Sequence, residues 1–280
     1  MEISVYKEKI RNATSDSIPK NYFDGYFNAF YSAYCEIKDL IQKDQEILDV
    51  GCGGGLLVNY LSTQGYKISG FDNYLYNPHT KAINNAINSI DLVVNSEIKD
   101  FKSKKKYDLI FLSNVIEHLH DWKGCLRHLE KLLKHEGRIV LLLPNYNFPV
   151  EFHFMIPIII NKSITYKIFK NRINNFEMIH KRHGIWDSLN FITIKQIKKF
   201  FMKNNYIVTI DKNYIKRLII RLTMNAKNKN NEKRRNLLHS LLVIIANFFV
   251  NSNLINAYIY LPQSFHPFIK IIVTKKESVD

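Results

Sequence analysis

Between residues 45 and 145 short apolar runs alternate with stretches of helical periodicity. "EILDV" at 46–50 reads as a buried strand that runs into glycines, and "LLVNYLSTQ" carries helical spacing up to Gly65, a residue suited to end a helix. "YKISGF" predicts a second strand ending at Asp72, "TKAINNAINS" a helix and "DLVV" a third strand. "YDLIFLS" is continuously apolar, as a parallel strand covered on both faces should be. The amphipathic "DWKGCLRHLEKLLKHEG" predicts a helix from an Asp121 cap to Gly137, and "RIVLLLP" a fifth strand. This alternation implies βαβ units, hence a doubly wound α/β fold with helices on both faces of a mostly parallel sheet.

The rhythm is different on either side. Residues 1–44 form an N-terminal segment that reads as helical from about 22, with aromatics at Tyr22, Phe23, Tyr26, Phe27, Phe30 and Tyr31 whose spacing fits core packing. After the 45–145 core, residues 146–280 hold two insertions and the last strands. "PNYNFPVEFHFMIPIII" contains three prolines and cannot be one regular helix. "FITIKQIKKFFMKNN" predicts a helix capped at Thr193, followed by a strand "YIVTI". After some fifty basic and apolar residues comes a last strand, "FIKIIVTKK". The prediction is thus a seven-stranded sheet with helical cap insertions after strands five and six. "NAKNKNNEKRRN" at 225–236 has the composition of a loop.

Composition narrows the class. With 280 residues and 46% hydrophobic positions the chain can bury a full core. The three cysteines, Cys35, Cys52 and Cys125, lack metal or disulfide spacing, which fits a reducing compartment. The N-terminal residues lack the apolar stretch of a signal peptide, so a cytoplasmic location is expected. The apolar run 236–262 is interrupted by His239, Asn247 and "NSN", and falls short of the ~20 residues of a spanning helix. Residues 161–240 hold 19 Lys+Arg and 4 Asp+Glu, which equals the whole net charge of +15. Two readings stand: drift toward Lys, Asn and Ile codons, or an anionic partner such as a phosphate-bearing substrate, a lipid surface or nucleic acid.

The glycine-rich "ILDVGCGGG" carries the most specific chemistry. A P-loop needs Gly-Lys-Ser/Thr at its end, and Gly55 is followed by Leu56 and Leu57. A dinucleotide fingerprint needs a third glycine where Leu56 stands. What remains is Asp49, Gly51, Gly53 and Gly55 at alternate positions. A carboxylate beside this loop would repel a pyrophosphate but suits a ligand bearing positive charge, such as S-adenosylmethionine with its sulfonium and ammonium groups. Asp72, ending the second strand, can accept both ribose hydroxyl protons.

"ILDVGCGGG", "GFD", "YDLIFLSNVIEHLHD" and "GRIVLLLPN" together resemble the class I S-adenosylmethionine-dependent methyltransferases over about 45–145. "NVIEHL" and "LPN" are similar to the small-molecule O-methyltransferase branch that includes ubiquinone-biosynthesis enzymes. "HGIWDSLNFIT" at 183–193 resembles, with stretched spacing, that branch's His-x-x-Trp segment. The resemblance implies Ser96 and Glu97 near the adenine and Asn114 near the methionine end of the cofactor. The usual acid of the third strand is absent.

Methyl transfer from a sulfonium needs an acceptor held in line; a sugar hydroxyl also profits from a base, a phenol less so. The base candidates are His183, favoured by the resemblance, then Glu117, His153 and His118. Sequence spacing supports no metal-ligand cluster. Base amino-group methylation uses an Asn-Pro-Pro-Tyr-like motif where this chain reads "SNVIE", and no cysteine follows a proline for cytosine C5 chemistry. The expected function is O-methylation of a sugar or lipid-linked glycan, and the apolar and basic insertions fit either peripheral contact at an anionic membrane or a hydrophobic cap packed over the active site. "LPQSFHPF" is similar to an ending found among surface-polysaccharide methyltransferases. A quinone precursor, RNA, and a noncatalytic nucleotide- or membrane-binding role stay open as alternatives.

Overall fold

A computed structural model describes residues 1–75, 79–87, 92–227, 237–252 and 254–276. In chain order its elements are α1 (Ile3–Thr14), α2 (Lys20–Ile37), β1 (Glu46–Val50), α3 (Leu56–Thr63), β2 (Lys67–Asp72), α4 (Thr80–Ala86) and β3 (Val93–Asn95). Then follow β4 (Tyr107–Ser113), a 3-10 turn at Ile116–His118, α5 (Trp122–Leu132) and β5 (Leu133–Pro144). The first insertion holds the hairpin β6 (Val150–Glu151) and β7 (Ile156–Pro157), then α6 (Lys162–His180), α7 (Ile185–Ser188) and α8 (Ile194–Lys203). β8 (Tyr206–Ile210) precedes α9 (Asn213–Lys227), α10 (Leu237–Asn251) and α11 (Ile255–Tyr258), and β9 (Phe268–Lys275) ends the fold.

Seven strands form one sheet in the order β3-β2-β1-β4-β5-β9-β8. The first five pair in parallel, and β9 runs antiparallel to both β5 and β8. This is the expected doubly wound, mostly parallel sheet with insertions after its fifth and sixth strands. Successive residues of β4 and β5 alternate between two cores, because side chains of a strand alternate faces. Ile110, Leu112, Ile139 and Leu141 join α5 and α8 on one side. Leu109, Phe111, Val140 and Leu142 join α1, α2, α3 and α4 on the other. Burying each such side chain contributes about 1.5–3 kcal/mol. The order reversal beside β1 and β4 leaves a crevice at their C-terminal ends, where open α/β sheets bind ligands.

Three elements differ from expectation. α1 is a helix that the charged N-terminus concealed; Tyr6, Ile10 and Thr14 bury one face, and Tyr6 Oη hydrogen-bonds Leu56 O and Asn59 Oδ1 at 3.0 Å each. α5 is capped by Asp121, whose carboxylate accepts from Gly124 N at 2.9 Å, but it stops at Leu132 rather than Gly137. There Leu133 pairs with Tyr107, so strand pairing overrides the helical period of the sequence. The aromatic stripe of α2 is core at Phe23, Phe27 and Phe30, yet Tyr26 points to the glycine loop.

Thr193 caps α8 in a capping box with Gln196, a feature that stabilises a helix start by about 1 kcal/mol. Of the expected loop at 225–236, residues 225–227 end α9 and 228–236 lie outside the described residues. Among the described residues no helix is long and apolar enough to cross a membrane. Part of the basic stretch is internal structure. Arg217 and Arg221 meet the fully buried Glu36 carboxylate of α2 at 2.5 and 2.7 Å, and buried Lys270 of β9 joins the same group at 3.3 Å.

Candidate active site

The turn after β1 is held from both sides. Gly51 N and Cys52 N donate to Phe71 O of β2 at 2.9 and 3.1 Å. Gly53 N donates to Asp72 Oδ2 at 2.8 Å, and Gly54 N donates to Tyr26 Oη. Gly51 and Gly53 both lie at positive φ, +65° and +58°. A Cβ on Gly51 would stand 2.5 Å from Val115 Cγ2, and one on Gly53 would collide with Tyr26 Oη. Only glycine permits this path. Gly55, also left-handed, starts α3 and stands behind the loop, outside the cavity lining.

A cavity of about 800 Å³ opens in front of the loop. Gly51, Gly53, Asp72, Ser96, Glu97 and Asn114 line it, so six of the eight expected cofactor positions converge there. Asp49 lies at the next recess, of about 130 Å³, shared with Tyr26, Gly51, Gly53 and Asn114. Burial, and then the neighbouring Asp72, push the Asp49 carboxyl up to about 8. Burial also raises Asp72, against the backbone amides of Tyr74 and Gly53 that favour its ionised form. Asn114 turns the chain out of β4 at φ +53°, with its N–H on Leu142 O at 2.8 Å.

Beyond the loop, the cap closes over the end of β4. Glu117, on the 3-10 turn, is fully buried, and neither carboxylate oxygen has a hydrogen-bond partner. Burial, partly offset by His153, lifts its carboxyl to about 7. Candidate ligand atoms of Glu117, His118 and His153 all lie within 4.8 Å of one another. His118 and His153 line the large cavity, with ring centroids 5.0 Å apart. Burial, then the positive neighbours His153 and Arg182, depress His118 to about 3. Burial lowers His153 too, but the hydrogen bond and charge of Glu151 outweigh it and hold that imidazole above its ordinary value. Glu151, itself fully buried, accepts from His153 Nδ1 at 2.7 Å and from Phe154 N at 2.9 Å.

The segment expected to supply His183 acts differently. His183 is exposed and absent from the cavity lining; Arg182 and Ile185 stand there instead. The left-handed Lys181 and the Glu177 carboxylate, which accepts from Gly184 N and Trp186 N at 3.0 and 2.8 Å, set that turn so that His183 faces solvent. What the segment contributes is Ser188, whose Oγ lies 2.8 Å from His118 Nδ1, and Asn190. Asn190 Nδ2 donates to Ile116 O and Leu119 O at 2.7 and 2.8 Å, and Asn190 N donates to Glu117 O at 2.8 Å. Tyr26 and Arg182 carry no motif of their own, and Ser188 and Asn190 lie in the 183–193 segment without being its expected base. Glu117 and His153 stand 36 positions apart along the chain, but the β6–β7 hairpin returns beside the turn and brings their side chains together.

A doubly wound sheet with this strand order, a glycine turn beside an acid on its first strand, and a second acid ending the next strand together define a class I S-adenosylmethionine-dependent methyltransferase. A family model described as a methyltransferase domain matches residues 28–209. The chain belongs to that family.

An uncharacterized protein of Mycobacterium tuberculosis is 31% identical over 182 residues, which cover 60% of this chain and 61% of that one. A ubiquinone biosynthesis O-methyltransferase of Rickettsia canadensis is 30% identical over 156 residues, 55% of this chain and 64% of its own length. The chain thus spans less than two thirds of these curated relatives. Among solved structures, phosphoethanolamine N-methyltransferase 2 of Haemonchus contortus, in complex with S-adenosyl-L-methionine, shares the fold. Its TM-score is 0.50 at 12% identity, with 89% of this chain and 57% of that chain covered.

Proposed function

We propose that the protein transfers a methyl group from S-adenosylmethionine to a hydroxyl of a small or lipid-linked acceptor. The observation that carries this reading is the shared cavity: the acid-flanked glycine loop forms one part of its wall, and His118 and His153 another. The loop fits the donor. Asp49, driven toward its neutral form by burial, regains its charge when a sulfonium or ammonium group comes near. Asp72 would hold the ribose, Ser96 and Glu97 would border the adenine, and Asn114 would face the methionine end.

S-Adenosylmethionine supplies an activated methyl group. The chain positions an acceptor oxygen in line with it and activates the hydroxyl at the Glu117–His118–His153 group. A new O–CH3 bond forms as the S–CH3 bond breaks with its electrons returning to sulfur, and the hydroxyl proton passes to the Glu117–His118–His153 group. Such assistance matters most for an aliphatic alcohol, which is far less acidic than a phenol. A sugar hydroxyl of a glycan is therefore the favoured acceptor. A ring hydroxyl of a quinone precursor is the second reading, favoured by the relatives named ubiquinone biosynthesis O-methyltransferases.

A lipid carrier on the acceptor is supported by the exposed Ile244 and Phe248 of α10 together with the basic helix α9 that packs beside it. Retention on anionic vesicles at low salt checks that feature, and its absence removes the membrane from the reading. The donor reading is tested by calorimetry with S-adenosylmethionine. The parent chain should bind it and Asp72→Ala should bind at least about tenfold more weakly; no binding by the parent sinks the enzyme. Release of S-adenosylhomocysteine across a panel of sugar and phenol acceptors then ranks the two acceptor classes.

A further inference from the structure

Arg182 follows the end of α6 and stands in the wall of the cavity. The left-handed Lys181 stops the helix, and Arg182 N donates back to Glu177 O at 2.9 Å. Its Nε is shut off from solvent and has no hydrogen-bond partner. Among the described residues, Arg182 and Lys99 are the permanently cationic side chains of the cavity lining, and Lys99 is bridged to Glu97 at 3.1 Å. The other acids nearby are engaged elsewhere. Glu177 accepts from Gly184 N and Trp186 N, and Asp72 from Gly53 N and Tyr74 N. Asp121 accepts from Gly124 N, and Glu151 from His153. Arg182 is thus left without a counter-ion among the described residues.

Its charge marks which end of the cavity this is. After burial and His153, the Arg182 guanidinium is what depresses His118; after burial and Lys181, it depresses His79. Burial apart, Asp49 answers to Asp72, and Asp72 to the amides of Tyr74 and Gly53. Arg182 therefore belongs to the end that holds His118 and His153, away from the glycine loop. A guanidinium is a planar fork of N–H donors that fits a carboxylate or a phosphate through two parallel hydrogen bonds. An oxyanion seated there would satisfy the buried Nε and shield the two imidazoles from a like charge. We propose that Arg182 is a specificity-determining residue that pairs with an oxyanion, carboxylate or phosphate, carried by the acceptor. On the methyl-transfer reading, on which this assignment rests, the acceptor hydroxyl sits on an anionic molecule, such as a uronate or a sugar phosphate. A site built around such a group rejects the analogue that lacks it, because its own polar atoms are then left unpaired.

The test uses the full chain saturated with S-adenosylhomocysteine and titrated by calorimetry with methyl glucuronide, glucose 1-phosphate and the neutral methyl glucoside. At least one anionic sugar should bind at least about tenfold more tightly than the glucoside, and which one does so separates carboxylate from phosphate. Arg182→Met should remove that preference while S-adenosylmethionine affinity stays within about twofold. Arg182→Lys, which keeps the charge but not the fork, should restore only part of it. In the parent protein labelled with 15N-arginine, inorganic phosphate or acetate should saturably shift the Nε–H resonance that Arg182→Lys lacks. That readout needs neither the right sugar nor turnover. No preference together with an unmoved resonance overturns the subsite, as does a preference that survives in Arg182→Met. A tenfold loss of S-adenosylmethionine affinity in that variant gives the guanidinium to the donor carboxylate instead, and overturns it too. An anion preference without donor binding or methyl transfer sinks the functional reading and leaves the subsite.

Discussion

The two ends of one cavity, proposed to take the donor and the acceptor, are made by opposite means. At the donor end the backbone does the work: Gly51 and Gly53 adopt left-handed conformations, and their amides bond to Phe71 and Asp72 on the neighbouring strand. At the acceptor end side chains do it. Glu117 and His118 come from the turn after β4, His153 from the hairpin, and Ser188 and Asn190 from the cap. A backbone site tolerates almost no added atom, whereas a side-chain site can lose one group and keep its shape. The two ends should therefore fail differently.

The largest effect is expected at the glycines. Gly51→Ala places a Cβ against Val115 at a positive φ, and should weaken S-adenosylmethionine binding by about 100-fold or more, roughly 2.7 kcal/mol. Gly25→Ala is the matched control, since nothing lies within 4 Å of the added carbon. Calorimetry on both variants decides; equal affinities would break the claim that the donor end is a backbone site. Next in size, Glu117→Gln should cut methyl transfer by about 100-fold while donor affinity stays within about twofold. A parallel fall in donor affinity would mean that the two ends are one.

The same contrast explains what the sequence reveals. A left-handed turn with no room for a Cβ must be written as glycine, and an adjacent buried acid must be written as Asp, so Asp49, Gly51, Gly53 and Asp72 are legible at once. The strands are legible because burial on both faces leaves a continuous apolar run. Glu117 and His153 can be noticed one by one, but nothing in the chain says that a hairpin of two short strands brings them together. His183 looked promising because it sits in a familiar segment; the hydrogen bonds of Glu177 turn it to solvent, while Ser188 and Asn190 of that segment reach inward. α1 was hidden because its apolar positions, Tyr6 and Ile10, are separated by charged residues on its exposed face.

Asp49 sharpens the donor side. Its carboxyl, held near 8 by burial and by Asp72, carries a proton in the free protein below that pH. A cationic donor binds the ionised form, so binding must expel the proton. Donor affinity should rise with pH up to about 8, by at most about tenfold per unit, and level off above it. Calorimetry at pH 7 in buffers of different ionisation enthalpy should report proton release, and Asp49→Asn should abolish that release along with the slope. A flat profile in the parent would show that Asp49 is already ionised before the donor arrives.

Asn190→Ala is expected to have the smallest effect, and it probes the cap alone. The side chain closes the 3-10 turn by donating to Ile116 O and Leu119 O, and its loss leaves two partly buried carbonyls to find other donors. The cost should be about 1–3 kcal/mol of stability, seen as a lowered melting temperature. Because the turn carries Glu117 and His118, acceptor turnover should fall a fewfold more than this instability explains, with the kcat moved and donor affinity unchanged. If donor affinity falls equally, the turn supports the glycine loop as well, through Val115, which lies between Asn114 and that turn and packs against Gly51. The outcome decides whether the two ends of the cavity are independent or joined by that one valine.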